Sequence, residues 1–342
     1  MCDLSDTLMN RDLLPALAAL GLLLSFASPR AQCADREARV PLLAENEAWA
    51  RLPQPEPAAP GRLPNWARAL AGPLPRTTAA MLELDWKQRA RSPLDPKLRA
   101  KLRYVAAQAN RCDSAMATAR ADFVRAGGVE PELDSPGSSP GERRSIAFVR
   151  QLTIAADQVT DEQVAALLAD LGEQKLTAMV LLAAYANFQD RLLLSLGIPL
   201  EANGPLPPLE VAFPSPGGAD PPARTRPEID RARPEVPVRV DDPEWRLFDW
   251  KDLVAKVEAQ KSRAGRIRVP SWDEVRPRYP ADVKAPDKPL RIQWSLVTMG
   301  YAPELAGAWL KCMRTFASEA AQDRVFEESL FWVVTRTLHC FY

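Results

Sequence analysis

The sequence predicts an all-α protein, because apolar residues recur at helical spacing along most of the chain and strand-like alternation is scarce. The clearest stretch is LRAKLRYVAAQANRCDSAMATARADFVRAG, residues 98–127. Asp95 before Pro96 and Thr160 before Asp161 are typical helix starts, and Gly127 is a typical helix end. Helical spacing also covers residues 142–155, 160–171, 173–196, 302–320 and 325–338.

The composition excludes several classes of function. Lys plus Arg and Asp plus Glu both number 44, so no nucleic acid or anionic membrane is expected as a partner. The one histidine, His339, excludes a histidine-rich metal site and any Ser/His/Asp triad outside the C-terminal tail. The five cysteines are far apart and complete no C-x-x-C pair, which argues against structural zinc or a disulfide scaffold. We therefore expect no cofactor and no metal.

The N-terminus is typical of an export signal. Residues 13–27, LLPALAALGLLLSFA, form an apolar run of 15 residues that follows Arg11. This run is short for a membrane-spanning helix, and small residues after it offer cleavage points. We predict a signal peptide over residues 1–34 and export to the periplasm or the extracellular space, with an uncleaved anchor or a buried helix as alternatives.

Proline clusters divide the rest of the chain. Residues 35–62 are charged and proline-rich and predict an extended lead-in. A first helical domain is expected over residues 63–202. Residues 203–244 combine many prolines with several glycines and predict a long linker. Residues 245–342 then form a second, smaller helical unit.

Cys112 follows an interruption of the helical pattern at residues 108–111. A helix that ends near Asn110, with a new helix after it, places Cys112 in a first helical turn. Unpaired backbone N–H groups and the helix dipole lower the pKa of a thiol there. The alternative is a small buried cysteine that fills a gap in the core.

A second cysteine stands in a similar context. Residues 332–340, WVVTRTLHC, parallel residues 104–112, YVAAQANRC, with the cysteine in the ninth place of both. Glu328 lies twelve residues before Cys340. The alternative is that Glu328 is a solvated helix charge and Cys340 a terminal core residue.

Residues 63–201 resemble the alkylhydroperoxidase D-like, or carboxymuconolactone decarboxylase, family. The resemblance rests on LDPKLRAKLRYVAAQANRCDSAMATARADFVRAGG, AFVRQLTIAADQVTDEQVAALLADLG and AAYANFQDRLLLSLGIP. It implies an all-helical fold that assembles into homo-oligomers. Peroxidase members carry Glu, then Cys-x-x-Cys twelve residues on, then His four further. Their second cysteine attacks the hydroperoxide, the first resolves it, and Glu and His relay protons.

The first domain lacks most of that motif. Cys112 matches the first cysteine, but Ala115 stands at the second cysteine, Ala119 at the histidine and Ala100 at the glutamate. A thiol without a partner thiol or a base cannot run the two-cysteine cycle. We therefore expect the first domain to keep the scaffold without the chemistry.

The C-terminal residues match the first part of the motif, the glutamate and the first cysteine. Glu328 and Cys340 have the family interval, and the sequence ends one residue before the second cysteine would fall. Our hypothesis is a truncated reading of a tandem protein, with cysteine or selenocysteine at position 343.

The resemblance implies a thiol-dependent hydroperoxide reductase, with Cys340 as resolving thiol, Glu328 as proton relay and Cys112 as a further candidate. The partners would be a small hydroperoxide and a thiol reductant, and the chain as given would be impaired or inactive. The alternative function is a non-catalytic helical binding or assembly protein on the same scaffold.

Two acidic pairs could suggest acid–base or metal chemistry, namely Glu83 with Asp85 and Asp241 with Asp242. No histidine or glycine-rich loop supports either pair, so we interpret them as helix or turn charges.

Overall fold

The computed structural model describes residues 38–56, 61–213, 250–261, 265–290, 292–320 and 322–337. Most of these residues are helical, which confirms the all-α prediction. An isolated antiparallel bridge joins Glu56 to Ala212. The predicted signal peptide, most of the predicted linker, Asp241, Asp242, His339 and Cys340 lie outside the described residues.

Thirteen helices are found within the described residues. They are α1 (Glu45–Arg51), α2 (Asn65–Leu70), α3 (Pro75–Trp86), α4 (Pro96–Ala109), α5 (Asp113–Arg125), α6 (Glu130–Leu133), α7 (Pro140–Ile154), α8 (Asp161–Leu196), α9 (Trp250–Lys261), α10 (Trp272–Val275), α11 (Gln293–Tyr301), α12 (Pro303–Glu319) and α13 (Arg324–Thr337). A π-helical turn, Lys87–Arg91, extends α3.

Local sequence determines several of these boundaries. Asp95 caps α4 by accepting hydrogen bonds from the N–H groups of Lys97 and Leu98 at 3.0 and 3.1 Å. Thr160 opens α8 with a capping box. Gly127 ends α5 with a φ of 80°, as the sequence predicts. Gly172 breaks α8 with a φ of 69°, at the junction of the two helices expected there.

Helix α4 lies at the centre of the first part of the chain. It packs against α5, α7 and α8. Its fully buried residues Leu102 and Ala106 join a core with Val149 of α7 and Met179 of α8. The apolar stripe that the sequence shows along residues 98–109 is therefore the face that α4 buries.

The later helices contribute to a second buried cluster. Ala308 and Cys312 of α12 belong to the same buried cluster as Leu82 and Leu84 of α3. The Trp309 ring also packs edge-on against Phe188 of α8, with ring centroids 5.7 Å apart. Helices α11 and α12 thus pack against α8 and α3 of the first part of the chain, and the predicted domain boundaries stay a prediction.

The predicted lead-in and the start of the predicted linker are also ordered against the core. Helix α1 lies inside the lead-in, and its Ala48 is fully buried. Val211 and Phe213 are 1% and 5% exposed. Two backbone hydrogen bonds of 2.8 and 2.9 Å join Glu56 to Ala212. Apolar side chains between the prolines account for this packing, since their burial removes apolar surface from water.

No helix in the described part of the chain is both long and apolar enough to cross a membrane.

Candidate functional site

Cys112 is the N-cap residue of α5, so the predicted break between two helices near Asn110 is confirmed. Its side chain is 1% exposed, and its Sγ lies 3.5 Å from Ser114 Oγ. Burial raises the pKa of the Cys112 thiol and outweighs the Ser114 hydrogen bond, which lowers it. The expected lowering of this pKa by the helix start is therefore wrong. The alternative, a small buried cysteine, describes the residue.

The positions that would support a reactive Cys112 belong to the core. Ala100, Ala115 and Ala119 are 4%, 3% and 1% exposed. Their methyl groups fill space between α4 and α5 and carry no acid or base. Cys312 of α12 is the other free cysteine among the described residues, and burial raises its pKa to about 12.

Glu328 lies on α13 and is exposed. Cys340 lies outside the described residues, so its pairing with Glu328 stays a prediction.

A buried ion-pair network surrounds the start of the π-helical turn. Arg89 Nε and Nη2 donate to the two carboxylate oxygens of Asp122 at 2.8 and 2.9 Å. Arg89 Nη1 donates to Asp85 at 3.1 Å. Asp85 also accepts hydrogen bonds from Tyr185 Oη at 2.6 Å and Gln189 Nε2 at 3.2 Å. Burial, together with Asp85, raises the pKa of Tyr185 well above its usual value.

A second buried pair continues the network along α4 and α8. Arg103 donates to both carboxylate oxygens of Asp190, which is fully buried, and to Gln189 Oε1 at 3.0 Å. Asn110 Nδ2 adds a hydrogen bond of 2.9 Å to Asp190. Burial acts to lower the pKa of Arg103, but the charge and the hydrogen bonds of Asp190 together with smaller contributions outweigh it and raise that pKa. Arg103 therefore stays charged inside the protein.

A cavity of about 250 Å³ lies beside this network. Its wall combines guanidinium groups with small apolar side chains from the π-helical turn, α4, α5, α8 and the segment after α8. The lining residues are Gln88, Arg89, Ala90, Pro96, Arg99, Ala100, Arg103, Asp122, Arg125, Ala126, Leu182, Tyr185 and Pro208.

Gln88 is the unusual residue of this wall. It is fully buried, and neither the oxygen nor the nitrogen of its amide hydrogen bonds to another protein group. A buried amide without partners costs about 1–3 kcal/mol, so natural proteins rarely retain one without a reason.

The segment 204–208 closes one side of the cavity. Arg89 Nη2 donates to the carbonyl oxygen of Leu206, and Arg125 Nη2 to that of Pro205, both at 2.8 Å. Pro208 reaches the lining itself. Arg89 and Arg125 therefore line the cavity and also donate hydrogen bonds to the backbone of the segment that covers it.

Sequence reasoning did not find this site. Asp85 was expected to be a helix or turn charge, and it is instead 4% exposed and engaged in three hydrogen bonds. The sequence does contain a signal for this site, since Arg103 and Asp190 interrupt the buried faces of two apolar helices. Charged residues at such positions are seldom buried unless they are paired.

No protein-family model matches the chain, and no curated protein sequence matches it. Within the described residues, no group of three or more His, Cys, Asp or Glu side chains is arranged to hold a metal ion.

Proposed function

We propose that this chain is a non-catalytic binding protein whose helical scaffold holds a small molecule in the cavity beside Arg89 and Gln88. The observation that carries the proposal is the cavity itself, which four arginine side chains line. One of them, Arg99, makes a single long hydrogen bond within the described residues, to the carbonyl oxygen of Ser92 at 3.5 Å. A bound polar group would give the Arg99 guanidinium group further partners.

The lining residues favour binding over catalysis. None of them is a cysteine, serine, threonine, histidine or lysine, so the wall offers none of the usual activated nucleophiles. Asp122 is neutralised by Arg89 and Arg125, and the pKa of Tyr185 is too high for a general base near neutral pH.

The volume of the cavity limits the size of the ligand. About 250 Å³ corresponds to about eight water molecules at about 30 Å³ each. Pockets for drug-sized ligands begin at about 300 Å³, so a small metabolite fits better than a nucleotide or a haem.

A thermal-shift screen of small metabolites with negative, neutral and positive charge tests this function. Compounds that bind in the cavity should raise the melting temperature of the native chain and not that of Ala100→Leu, which fills the cavity from α4. Ala117→Leu, on α5 outside the lining, is the matched control. Should Ala100→Leu fail to fold, Ala126→Leu fills the wall nearer the exposed Arg125. The proposal fails if no compound shifts the native chain, or if every shift persists in the filled variant.

Thiol-dependent hydroperoxide reduction is a second candidate, favoured by the twelve-residue interval between Glu328 and Cys340. Hydroperoxide consumption with a dithiol reductant tests it. Activity that disappears in Cys340→Ser would support it, whereas activity that survives Cys340→Ser combined with Cys112→Ser would reject a thiol mechanism. Homo-oligomeric assembly and export stay predictions.

A further inference from the structure

The charges around the cavity balance each other, because four arginines line it and four aspartates lie close to those arginines. Burial lowers the pKa of Arg99, while the charges of Asp122 and Asp95 act in the opposite direction. A ligand with a net charge would lose its hydration in the cavity without an opposite excess charge to meet it. The arginines are Arg89, Arg99, Arg103 and Arg125, and the aspartates are Asp85, Asp95, Asp122 and Asp190.

The guanidinium group of Arg99 supplies hydrogen-bond donors to this cavity. In the described part of the chain, it makes one long hydrogen bond, from Nη1 to the carbonyl oxygen of Ser92 at 3.5 Å. Its Nε and Nη2 make none there, and they are not buried, so a molecule in the cavity can reach them. Arg99 differs in this respect from Gln88, whose amide atoms are both buried and out of reach of a ligand.

The carboxylates of the cavity wall are already engaged as acceptors. Asp122 accepts hydrogen bonds from Arg89 through both of its oxygens, and from Arg125 at 2.7 Å. Behind the wall, Asp85 and Asp190 also accept hydrogen bonds from neighbouring side chains. An N–H or O–H group of a ligand would therefore give up its water partner without finding an unengaged carboxylate oxygen, which opposes binding.

Apolar side chains make up much of the remaining wall. They offer contact for the hydrocarbon portion of a ligand. A cavity of about 250 Å³ has room for a small ring or a short chain beside one polar group. These apolar residues are Ala90, Pro96, Ala100, Ala126, Leu182 and Pro208.

We infer that the cavity binds a small uncharged carbonyl compound that carries no N–H or O–H group. Its carbonyl oxygen accepts hydrogen bonds from the guanidinium group of Arg99, and its hydrocarbon portion lies against the apolar side chains. A carbonyl oxygen has two lone pairs, so it can accept from two N–H groups of the same guanidinium group. This inference rests on the proposed binding function and adds the chemical class of the ligand.

The test is isothermal titration calorimetry on the full chain at constant ionic strength, with four probes on one six-membered ring. Cyclohexanone carries only an acceptor, cyclohexanol adds a donor, cyclohexylammonium chloride supplies a cation, and sodium cyclohexanecarboxylate supplies an anion. Cyclohexanone should bind most tightly. Cyclohexanol should bind about tenfold more weakly, because its O–H group loses a partner, and the two ions about tenfold more weakly or less, because a charge loses its hydration.

Two variants assign the contact to Arg99. Arg99→Met keeps the long side chain and removes its donors, so it should weaken cyclohexanone binding about tenfold or more. Arg62→Met, at an exposed arginine outside the lining, should leave binding unchanged. Should Arg99→Met fail to fold, the order of the four affinities on the native chain still decides the ligand class.

Each contrary result has its own meaning. If the carboxylate binds as tightly as cyclohexanone, the ligand is not uncharged, and if cyclohexanol does, the exclusion of donors is wrong. If Arg99→Met and Arg62→Met behave alike, the contact with Arg99 is wrong. If no probe gives heat while other compounds raise the melting temperature and lose that effect in Ala100→Leu, the cavity binds another class of ligand. If the metabolite screen is also empty, the binding function fails as well.

Discussion

At the scale of single residues, burial rather than helix position decides the chemistry of the thiols. Cys112 occupies the N-cap of α5, where the helix dipole favours a thiolate. Its side chain is nevertheless almost completely removed from water, and the cost of desolvating a thiolate exceeds what a helix end supplies. Cys312 shows the same effect without any hydrogen bond to oppose it.

Both described thiols should therefore be inert in the folded chain. In a variant with serine at Cys2, Cys33 and Cys340, the thiols of Cys112 and Cys312 should not react with an aromatic disulfide reagent near neutral pH. Both should react once the chain is unfolded in denaturant, followed by absorbance. Fast reaction of either thiol under native conditions would contradict the burial that the structure shows.

Gln88 gives a stability prediction at the same scale. Gln88→Leu keeps the approximate size of the side chain and removes two unpaired buried polar atoms. In the absence of ligand, we expect the free energy of unfolding to rise by about 1–3 kcal/mol, measured by urea denaturation.

The matched control for Gln88→Leu is Thr78→Val. The Thr78 hydroxyl donates to the carbonyl oxygen of Leu74 at 2.7 Å, so its removal should not stabilise the chain. A loss of stability in Gln88→Leu would mean that water already satisfies the Gln88 amide.

At the scale of elements, charged side chains tie neighbouring helices together. Glu142, in the first turn of α7, accepts hydrogen bonds from Ser138 N and Oγ and pairs with Lys101 of α4 at 3.0 Å. Burial acts to raise the pKa of Glu142, but these hydrogen bonds and the Lys101 charge lower it to about 2.

This shift predicts how stability depends on pH. The pKa of Glu142 is lower in the folded chain than in the unfolded chain, so its contribution is complete above the unfolded value of 4.5 and is lost as pH falls toward about 2. Allowing for solvent screening, we expect Glu142 to contribute about 1–2 kcal/mol to the free energy of unfolding at neutral pH. Urea unfolding at pH 7 and pH 3 should show a smaller pH dependence for Glu142→Gln than for the native chain. If the free energy of unfolding depends equally on pH in Glu142→Gln and in the exposed control Glu210→Gln, the pH dependence does not come from Glu142.

A second set of contacts joins α3, α12 and Phe213, which follows the segment that covers the cavity. Lys311 Nζ lies 2.8 Å from both carboxylate oxygens of Glu83 and donates to the carbonyl oxygen of Phe213 at 3.0 Å. The Phe213 N–H donates to Glu83. The pair thus holds Phe213, five residues after Pro208, against two helices.

Removing one partner of this buried pair should be costly. Lys311→Met leaves the Glu83 carboxylate buried without its cation, and we expect a loss of about 3–5 kcal/mol in the free energy of unfolding. Glu83→Gln combined with Lys311→Met keeps an acceptor for Phe213 N and should recover much of that loss. If the double variant is no more stable than Lys311→Met, the unpaired charge is not the cause.

At the scale of the whole molecule, periodicity and caps predicted the helices of the first part, while tertiary packing decided the rest. The starts at Asp95 and Thr160 and the break at Gly172 are local, so sequence reasoning found them. The burial of Val211 and the packing of α12 on α3 depend on contacts between residues that are far apart in the sequence. Hydrophobic periodicity reports only local structure and does not predict such contacts. The cavity escaped notice for the same reason, because its arginines come from three separate elements.

The central claim is that the cavity beside Arg99 holds a small molecule, and nuclear magnetic resonance of the arginine Nε–Hε groups tests it most directly. The Arg99 signal is assigned by its loss in Arg99→Gln, and the Arg62 signal serves as internal control. Titration with a compound that raises the melting temperature of the native chain should shift the Arg99 signal in a saturable way and leave the Arg62 signal in place. An Arg99 signal that stays fixed when the compound is saturating, or that moves no further than the Arg62 signal, would contradict the proposed binding site.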